Sequence, residues 1–237
     1  ATYRQSAQTT PAKLELDPQN RWLSRGPRFR MDAEMVRDYA LATSGLLVER
    51  LGGPSVRPYQ PDGVWEAVAM IVSNTRDYRA EQGPNLYRRS MYTFWKRSAP
   101  PASMDIFNAP SRETCTVRRE RTNTPLQALV TLNDPQFVEA ARVLATRLLQ
   151  EQESATDARL DRMARRILAR PFTPPELEVV RPGLAQLLAH YTAQPAEAEK
   201  LLKVGDAPAA AGIAPAELAA WTMLTNQLLN LDEALNK

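Results

Sequence analysis

The sequence predicts an all-α protein, an irregular multi-helix bundle with long ordered loops and few or no strands. Amphipathic helical periodicity runs through much of the second half, and several of its helices open with a capping residue followed by proline. Hydrophobic residues make up 43% and charged residues 24% of the 237 residues, as in ordinary globular proteins. We expect one helical domain over residues 1–237, with a loop-rich part at 1–124 and regular amphipathic helices at 125–237.

The loop-rich part contains one strong helix prediction. Pro11–Leu16 is predicted to form a single helical turn among prolines. A longer helix is predicted after Asp32, which can cap it and which precedes an apolar face that includes Met35 and Tyr39. Gly52-Gly53-Pro54 is expected to stop this helix.

Three further segments complete the loop-rich part. Residues 52–63 are interpreted as a stiff surface connection, because they hold three prolines and three glycines. Residues 64–72 are apolar enough for a buried helix or strand, and their alanine and methionine content favours a helix. Residues 86–96 alternate aromatic and basic side chains, which predicts a core-facing helix with its basic stems directed outward. The alternative for residues 86–96 is a stacking surface for single-stranded nucleic acid or sugars.

The regular part begins at Thr124-Pro125-Leu126-Gln127, whose spacing predicts a capping box and a short helix. Asn133-Asp134-Pro135 starts the next helix in the same way. A further helix is predicted to bury Leu160, Met163, Ala164, Ile167 and Leu168. Later helices are predicted from a capping box at Thr173, within residues 196–203, and from Pro215.

Composition and charge limit the function classes. No apolar run approaches the length of a membrane span. The first residues have no basic-then-apolar signal-peptide pattern, and their polar run from Ala1 is expected of an internal start that a targeting signal could precede. One cysteine excludes an internal disulfide and any CxxC motif for metal or haem. The net charge is +3, divided as +6 over residues 1–125 and −3 over residues 126–237. This asymmetry hints at an anionic partner, but without a basic helix or motif it does not predict nucleic-acid binding.

The densest group of charged residues lies at residues 112–123 and has two interpretations. In the first, its arginines form a structural network with Glu113, Glu120 and Asp105, because buried charges need partners. In the second, the group is a pocket for carboxylate, sulfate or phosphate, aided by the helix N-terminus at Pro125. The candidate anion-binding residues are Arg112, Arg118, Arg119, Arg121 and Asn123.

Cys115 lies within the same group and is the candidate reactive thiol, since neighbouring arginines favour the thiolate. A catalytic thiol also needs a base, and the only histidine is His190 on a distant helix. A buried structural cysteine is therefore the favoured interpretation of Cys115. We assign no catalytic residue and no metal ligand, so the sequence leans away from an enzyme.

Several long motifs in this order resemble one known family. They are Ala1-Thr-Tyr-Arg-Gln-Ser6, Asp17-Pro-Gln-Asn-Arg21, Arg30-Met-Asp-Ala-Glu34, Arg89-Ser-Met-Tyr-Thr-Phe-Trp-Lys-Arg97, and the run from Arg112 to Leu129 followed by Leu132-Asn-Asp-Pro-Gln-Phe137. This pattern resembles the planctomycete cytochrome-c-associated C-terminal domain of unknown function (DUF1553). The resemblance implies an extracytoplasmic, multidomain parent protein, and it implies that the N-terminal part of the domain is missing from this chain.

The resemblance supplies no reaction. It implies an accessory or interaction domain whose partners are other domains of the same parent protein. Any haem c would belong to an upstream domain, because this chain has no CxxCH motif and holds no cofactor of its own. The alternative function is the binding or processing of an anionic polysaccharide, sulfated or not, through the arginine-rich pocket.

Overall fold

The computed structural model describes residues 5–73, 76–151, 155–208 and 210–236. These ranges contain ten α-helices, and isolated β-bridges stand in place of a sheet. The all-α prediction is therefore confirmed. The helices are α1 Pro11–Leu16, α2 Ala33–Ser44, α3 Ala102–Ile106, α4 Pro125–Asn133, α5 Pro135–Gln150, α6 Thr156–Leu168, α7 Pro174–Ala193, α8 Pro195–Leu202, α9 Pro215–Leu229 and α10 Asp232–Leu235. Among the described helices, none is long and apolar enough to cross a membrane.

Helix α5 is the central element, because its side chains are buried on almost every face. Its most extensive contact is with α9, and α7 packs on the other side of α9. Leu144 and Leu148 of α5 meet Leu160 of α6 and Leu218 of α9 in the main core. Burial of one such side chain contributes about 1.5–3 kcal/mol, so this helical layer supplies much of the hydrophobic stabilisation.

A second core forms where α2 packs against α5. Val36 and Ala40 of α2 are buried there with Phe137 of α5 and Phe107, which follows α3. Tyr39 contacts both cores, and its hydroxyl donates a hydrogen bond to the carbonyl oxygen of Ile167. The loop-rich part is thereby attached to the regular helices through α2.

Arg37 joins α2 to the irregular backbone around residues 86–90. Its side chain is only 3% exposed. The guanidinium donates to the carbonyl oxygens of Leu86 at 2.5 Å and Arg88 at 2.8 Å. It also donates to Ser90 Oγ at 3.2 Å and to Gln136 Oε1 of α5 at 2.8 Å. Burial lowers the pKa of Arg37 to about 10, so the group stays charged at neutral pH.

Arg88 performs the same task for the loop at residues 50–54. This fully buried side chain donates to the carbonyl oxygens of Arg50 and Pro54, each at 2.9 Å, and to that of Gly52. Its guanidinium carbon also lies 3.9 Å from the ring centroid of Tyr92. A single side chain thus satisfies three backbone acceptors in a segment that has no sheet or helix to do so.

A third buried arginine fixes the loop between α8 and α9. Arg142 of α5 donates to the carbonyl oxygens of Val204 at 3.2 Å and Ala207 at 2.7 Å. The neighbouring Glu139 accepts from the Ala207 backbone N–H at 2.6 Å and lies 3.8 Å from Arg142. A Cβ atom at Gly205 would stand 2.4 Å from Glu139 Oε1, so this position requires glycine.

The predicted helix starts of the regular part are confirmed. Thr124 Oγ1 accepts from the Gln127 backbone N–H at 3.4 Å, and Asp134 accepts from the Gln136 N–H at 3.0 Å. The second hydrogen bond of the predicted capping box, between the Gln127 side chain and the Thr124 backbone N–H, is replaced by other contacts. The Gln127 amide donates instead to Ile106 O and Thr122 Oγ1, because Gln127 is buried against α3 and the preceding loop.

The helix predicted for residues 64–72 is wrong. This segment forms successive turns, in which Trp65 is buried and Val72 is 92% exposed. The chain has no capping side chain at Gly63 and holds four β-branched residues, which disfavour a helix. Trp65 packs instead edge-on against Tyr78, with ring centroids 4.7 Å apart. A single buried tryptophan therefore anchors the segment.

The helix predicted for residues 86–96 is also wrong. The chain there forms two short 3-10 turns, Gly83–Tyr87 and Ser90–Tyr92. The carbonyl groups of Leu86 and Arg88 accept hydrogen bonds from Arg37 and not from a following helical turn. The prediction that this segment faces the core holds for Leu86 and Tyr87, whereas Arg88 points inward and not outward.

Replacing Arg37 is expected to destabilise the protein strongly. In Arg37→Met, two backbone carbonyls and two side-chain oxygens lose a charged donor inside the protein, which costs about 3–5 kcal/mol. Urea denaturation followed by circular dichroism measures this loss. The matched control is Arg89→Met, since Arg89 is half exposed and reaches Asp38 only at 3.5 Å. We expect Arg89→Met to lose less than about 1 kcal/mol, and an equal loss in both variants would contradict the role given to Arg37.

Glu176 is expected to make stability depend on acid pH. Hydrogen bonds from Arg170 and from the Thr173 backbone N–H lower the pKa of Glu176 from 4.5 to about 2. Because the folded pKa is depressed, the stabilisation is present above pH 4.5 and disappears as the pH falls towards 2. Glu176→Gln should thus be less stable than the wild type by roughly 1 kcal/mol at pH 7 and similar to it near pH 2.

Thermal unfolding at several pH values tests this prediction. Glu178→Gln is the control, because Glu178 is exposed on the same helical turn. A difference between Glu176→Gln and the wild type that stays constant down to pH 2 would show that the carboxylate of Glu176 does not carry the effect.

Candidate functional site

The arginine-rich segment at residues 111–123 lies across the N-terminal end of α2. The segment has no helix or strand of its own. Arg112 takes a left-handed backbone conformation with φ 65°, which is uncommon for a residue other than glycine. The segment then leads into α4, so its path is fixed at both ends by helices.

Two acidic residues at the start of α2 bind the segment. Arg119 forms a two-pronged ion pair with Glu34, with N–O distances of 2.5 and 3.2 Å. Arg121 Nε lies 3.4 Å from Asp32 Oδ1. The hydrogen bonds that Arg119 donates to the Glu34 carboxylate raise the pKa of Arg119 above its usual value. Acidic residues are favoured at a helix N-terminus, so α2 presents these carboxylates where they are stable.

Aromatic rings contact the guanidinium groups of Arg112 and Arg121. The guanidinium carbon of Arg112 lies 4.3 Å from the ring centroid of Trp95, and Trp95 Nε1 donates to the carbonyl oxygen of Ser111 at 3.1 Å. Arg121 lies over Phe29 at 4.7 Å. These cation–π contacts add to the ion pairs in fixing the segment.

An open cleft of 870 Å³ is lined by Asp32 and residues 116–122. We call it the arginine cleft, because Arg118, Arg119 and Arg121 all line it. Arg118 differs from the other two. It is exposed, and within the described ranges it has no acidic partner and no hydrogen-bond acceptor. Its guanidinium is therefore available to a ligand in the cleft.

The structure separates the five predicted anion-binding residues into two groups. Arg118, Arg119 and Arg121 line the arginine cleft, whereas Arg112 lies on Trp95 and Asn123 is absent from the cleft lining. Anion binding by these residues stays a prediction. The proposed network with Glu113, Glu120 and Asp105 is wrong, because the described ion pairs of the segment are made with Asp32 and Glu34.

Cys115 is exposed, so its interpretation as a buried structural residue is wrong. The reason is that the segment packs on α2 through its arginines and not through apolar side chains. His190 lies on α7, where Nε2 is 2.9 Å from Glu197 of α8. Among the described residues, no hydrogen bond joins Cys115 to a base.

In the described part of the chain, no three of the histidine, cysteine, aspartate and glutamate side chains form a group that could hold a metal ion.

Asp32 and Glu34 are the site residues that the sequence did not indicate as partners. They lie 89 and 85 residues from the arginines that they bind. The sequence feature that could have indicated them is the motif Arg30-Met-Asp-Ala-Glu34, because the family resemblance rests on this motif as well as on the arginine-rich one. Nothing in the spacing of either motif alone shows that the two meet in the fold.

Comparison with known proteins identifies the family of the chain. The model of the family described as PSD1, protein of unknown function (DUF1553), matches residues 1–184. No curated protein and no solved structure matches the chain. Since the matched region covers well over half of the sequence, the chain belongs to the DUF1553 family.

Cys115 is expected to react readily with a thiol reagent in the native protein. Because its side chain is exposed, Ellman's reagent should modify one thiol at a rate close to that of the denatured protein. Cys115→Ser should give no reaction and should unfold within about 0.5 kcal/mol of the wild type. A thiol that reacts only after denaturation would contradict the position of this segment.

Proposed function

We propose that this DUF1553 domain is a non-catalytic binding domain that holds an anionic group of a polysaccharide, a sulfate or a carboxylate, in the arginine cleft. The observation that carries the proposal is the availability of Arg118. Its two neighbours in the cleft are neutralised by carboxylates of α2, and Arg118 is not. A guanidinium can donate two parallel hydrogen bonds to a carboxylate or a sulfate, which suits a bidentate ligand.

The two paired arginines, Arg119 and Arg121, contribute donors that are held in place on the wall of the cleft. Arg119 is fixed by Glu34 and Arg121 by Asp32, so both present their remaining N–H groups at defined positions. A rigid lining reduces the entropy lost when a ligand binds. The net charge that a ligand meets remains small, so the cleft is suited to hold one anionic group of the polysaccharide at a time.

Glu120 supports a sugar-bearing ligand. Its exposed carboxylate lines the same cleft, beside the hydroxyl groups of Thr116 and Thr122. A carboxylate repels a second anion but accepts hydrogen bonds from sugar hydroxyls. The combination of one available guanidinium with acceptors fits an acidic or sulfated sugar, in which an anion and several hydroxyls stand close together.

The accessory role is supported by the chemistry of the site and by the family resemblance. Cys115 has no basic partner in the part of the chain that is described, so the cleft offers a ligand contacts without a nucleophile–base pair. We propose that the domain acts within a larger extracytoplasmic, cytochrome-c-associated protein, and that its protein partners are the other domains of that parent. The single cysteine cannot form a CxxCH motif, so haem c would be carried by a different domain.

Arg118→Ala is expected to weaken the binding of an anionic polysaccharide. Loss of a charged hydrogen-bond donor costs roughly 1.5–3 kcal/mol, which corresponds to an increase in Kd of about 10- to 100-fold. Dextran sulfate and polygalacturonate are the probes, and isothermal titration calorimetry at low salt gives the Kd. Unsulfated dextran measures binding that does not depend on the anion.

The matched control is Arg79→Ala, because Arg79 is also exposed and lies outside the arginine cleft. It should bind both anionic probes as the wild type does. Comparison of the two probes shows whether sulfate or carboxylate is preferred. Failure of the wild type to bind either anionic probe, or equal binding by Arg118→Ala and Arg79→Ala, would overturn the proposal.

A further inference from the structure

Helix α4 buries its polar residues and exposes its leucines. Gln127 and Thr131 are each only 1% exposed, whereas Leu126 is 61% and Leu129 is 54% exposed. The two polar side chains form hydrogen bonds with groups at the ends of α3 and α9, so the helix is held in this orientation from within. A leucine that faces solvent adds nothing to the stability of its own chain. The orientation of α4 therefore indicates a face that a partner covers.

The exposed leucines form one side of an apolar groove of 670 Å³. We call it the leucine groove. It is lined by the exposed side of α4, by α3, by the start of α5 and by the loop at residues 59–62. Leu126, Leu129 and Val130 line it at spacings of three and four residues, so they lie on one face of α4. Side chains at these spacings form the ridges against which a second helix packs.

The charge of the leucine groove is negative. Among the described residues, the charged side chains that line it are those of Asp62 and Asp134, although the chain has 30 lysines and arginines. Within the described ranges neither aspartate forms an ion pair, and Arg37 pairs with Asp38 and not with Asp134. Burial raises the pKa of Asp134 to about 6, so at neutral pH its carboxylate is charged in a poorly solvated position. A cation on a partner would stabilise both carboxylates.

Gln60 adds a hydrogen-bond donor to the same groove. Its side-chain Nε2 is buried and has no acceptor in the described part of the chain. Such a donor destabilises the folded chain until a partner supplies an oxygen. The last carbonyl groups of a helix have no partner within that helix, and basic residues are favoured in the same turn. The C-terminal turn of a helix with lysine or arginine thus offers what Gln60 and the two aspartates lack.

We infer that the leucine groove binds an amphipathic helix of another polypeptide, with apolar side chains against Leu126 and Leu129 and a basic residue of its last turn between Asp62 and Asp134. Packing of an apolar helix face into a groove is a general mode of peptide recognition. A second copy of this chain is a poorer occupant, because symmetric packing of two α4 faces would bring like carboxylates together. The inference does not depend on the arginine cleft, whose ligand would be an anionic group.

Two designed peptides test the inference. Both have about 16 residues with leucines on one helix face, and they differ only in the last turn, which carries lysines in one and glutamates in the other. Fluorescence anisotropy of the labelled peptides gives the Kd. Wild-type protein should bind the lysine peptide with a Kd below about 100 μM and the glutamate peptide at least about 10-fold more weakly.

Variants of the groove separate its apolar contribution from its charge. Leu129→Gln should weaken binding of the lysine peptide by about 10-fold or more, because an apolar contact is lost. The double variant Asp62→Asn, Asp134→Asn should reduce the difference between the two peptides to less than about 3-fold. Asparagine keeps the shape of each side chain and can still cap α5. Thermal unfolding checks that each variant is folded.

Leu16→Gln is the matched control, since Leu16 is 72% exposed and lies outside the leucine groove. It should bind both peptides as the wild type does, and so should Arg118→Ala, which separates this inference from the arginine cleft. Absence of binding up to about 1 mM, equal binding of the two peptides, or equal binding by Leu129→Gln and Leu16→Gln would each overturn the inference. A wild-type dimer that Leu129→Gln converts to a monomer in light scattering would also overturn it, because a second copy would then cover this face.

Discussion

The structure depends on hydrogen bonds from buried guanidinium groups to the backbone carbonyl oxygens of irregular loops. A chain with few strands buries irregular loops, and each buried carbonyl in such a loop needs a donor. Arg37, Arg88 and Arg142 supply these donors, one for each of three loops. Because a guanidinium carries five N–H groups in a planar fork, one side chain can bind several carbonyls at once. The abundance of arginine thus has a structural cause before it has a functional one.

The same constraint gives the candidate site its form. Once Arg37 has fixed α2 against the irregular backbone, the carboxylates of Asp32 and Glu34 stand at one end of that helix. They bind Arg121 and Arg119 and hold an extended segment that has little apolar surface of its own. Fixing of the segment in this way leaves Arg118 exposed in the cleft. The ion pairs that stabilise the loop therefore also select which arginine a ligand can reach.

The sequence predicted the regular helices because their signals are local. The capping hydrogen bonds of Thr124, Asp134 and Glu176 join residues only two or three positions apart, so the sequence alone shows these helix starts. The periodicity of apolar residues then shows which helix faces are buried. The segments at 64–72 and 86–96 were predicted wrongly because distant residues decide their structure. Trp65 packs on Tyr78, and the carbonyls of residues 86 and 88 bind Arg37 about 50 residues away. The site shows the same division, since its arginines were found and their partners on α2 were not.

An arginine in this protein can therefore be interpreted only through its partner. Where the partners are backbone carbonyls, as for Arg88, removal of the side chain leaves buried acceptors unsatisfied and affects the fold. Where the partners are carboxylates, as for Arg170 with Glu176 and Glu233, the positive charge of the arginine is balanced locally. An exposed guanidinium without either kind of partner, as at Arg118, keeps both its charge and its N–H donors available to a ligand.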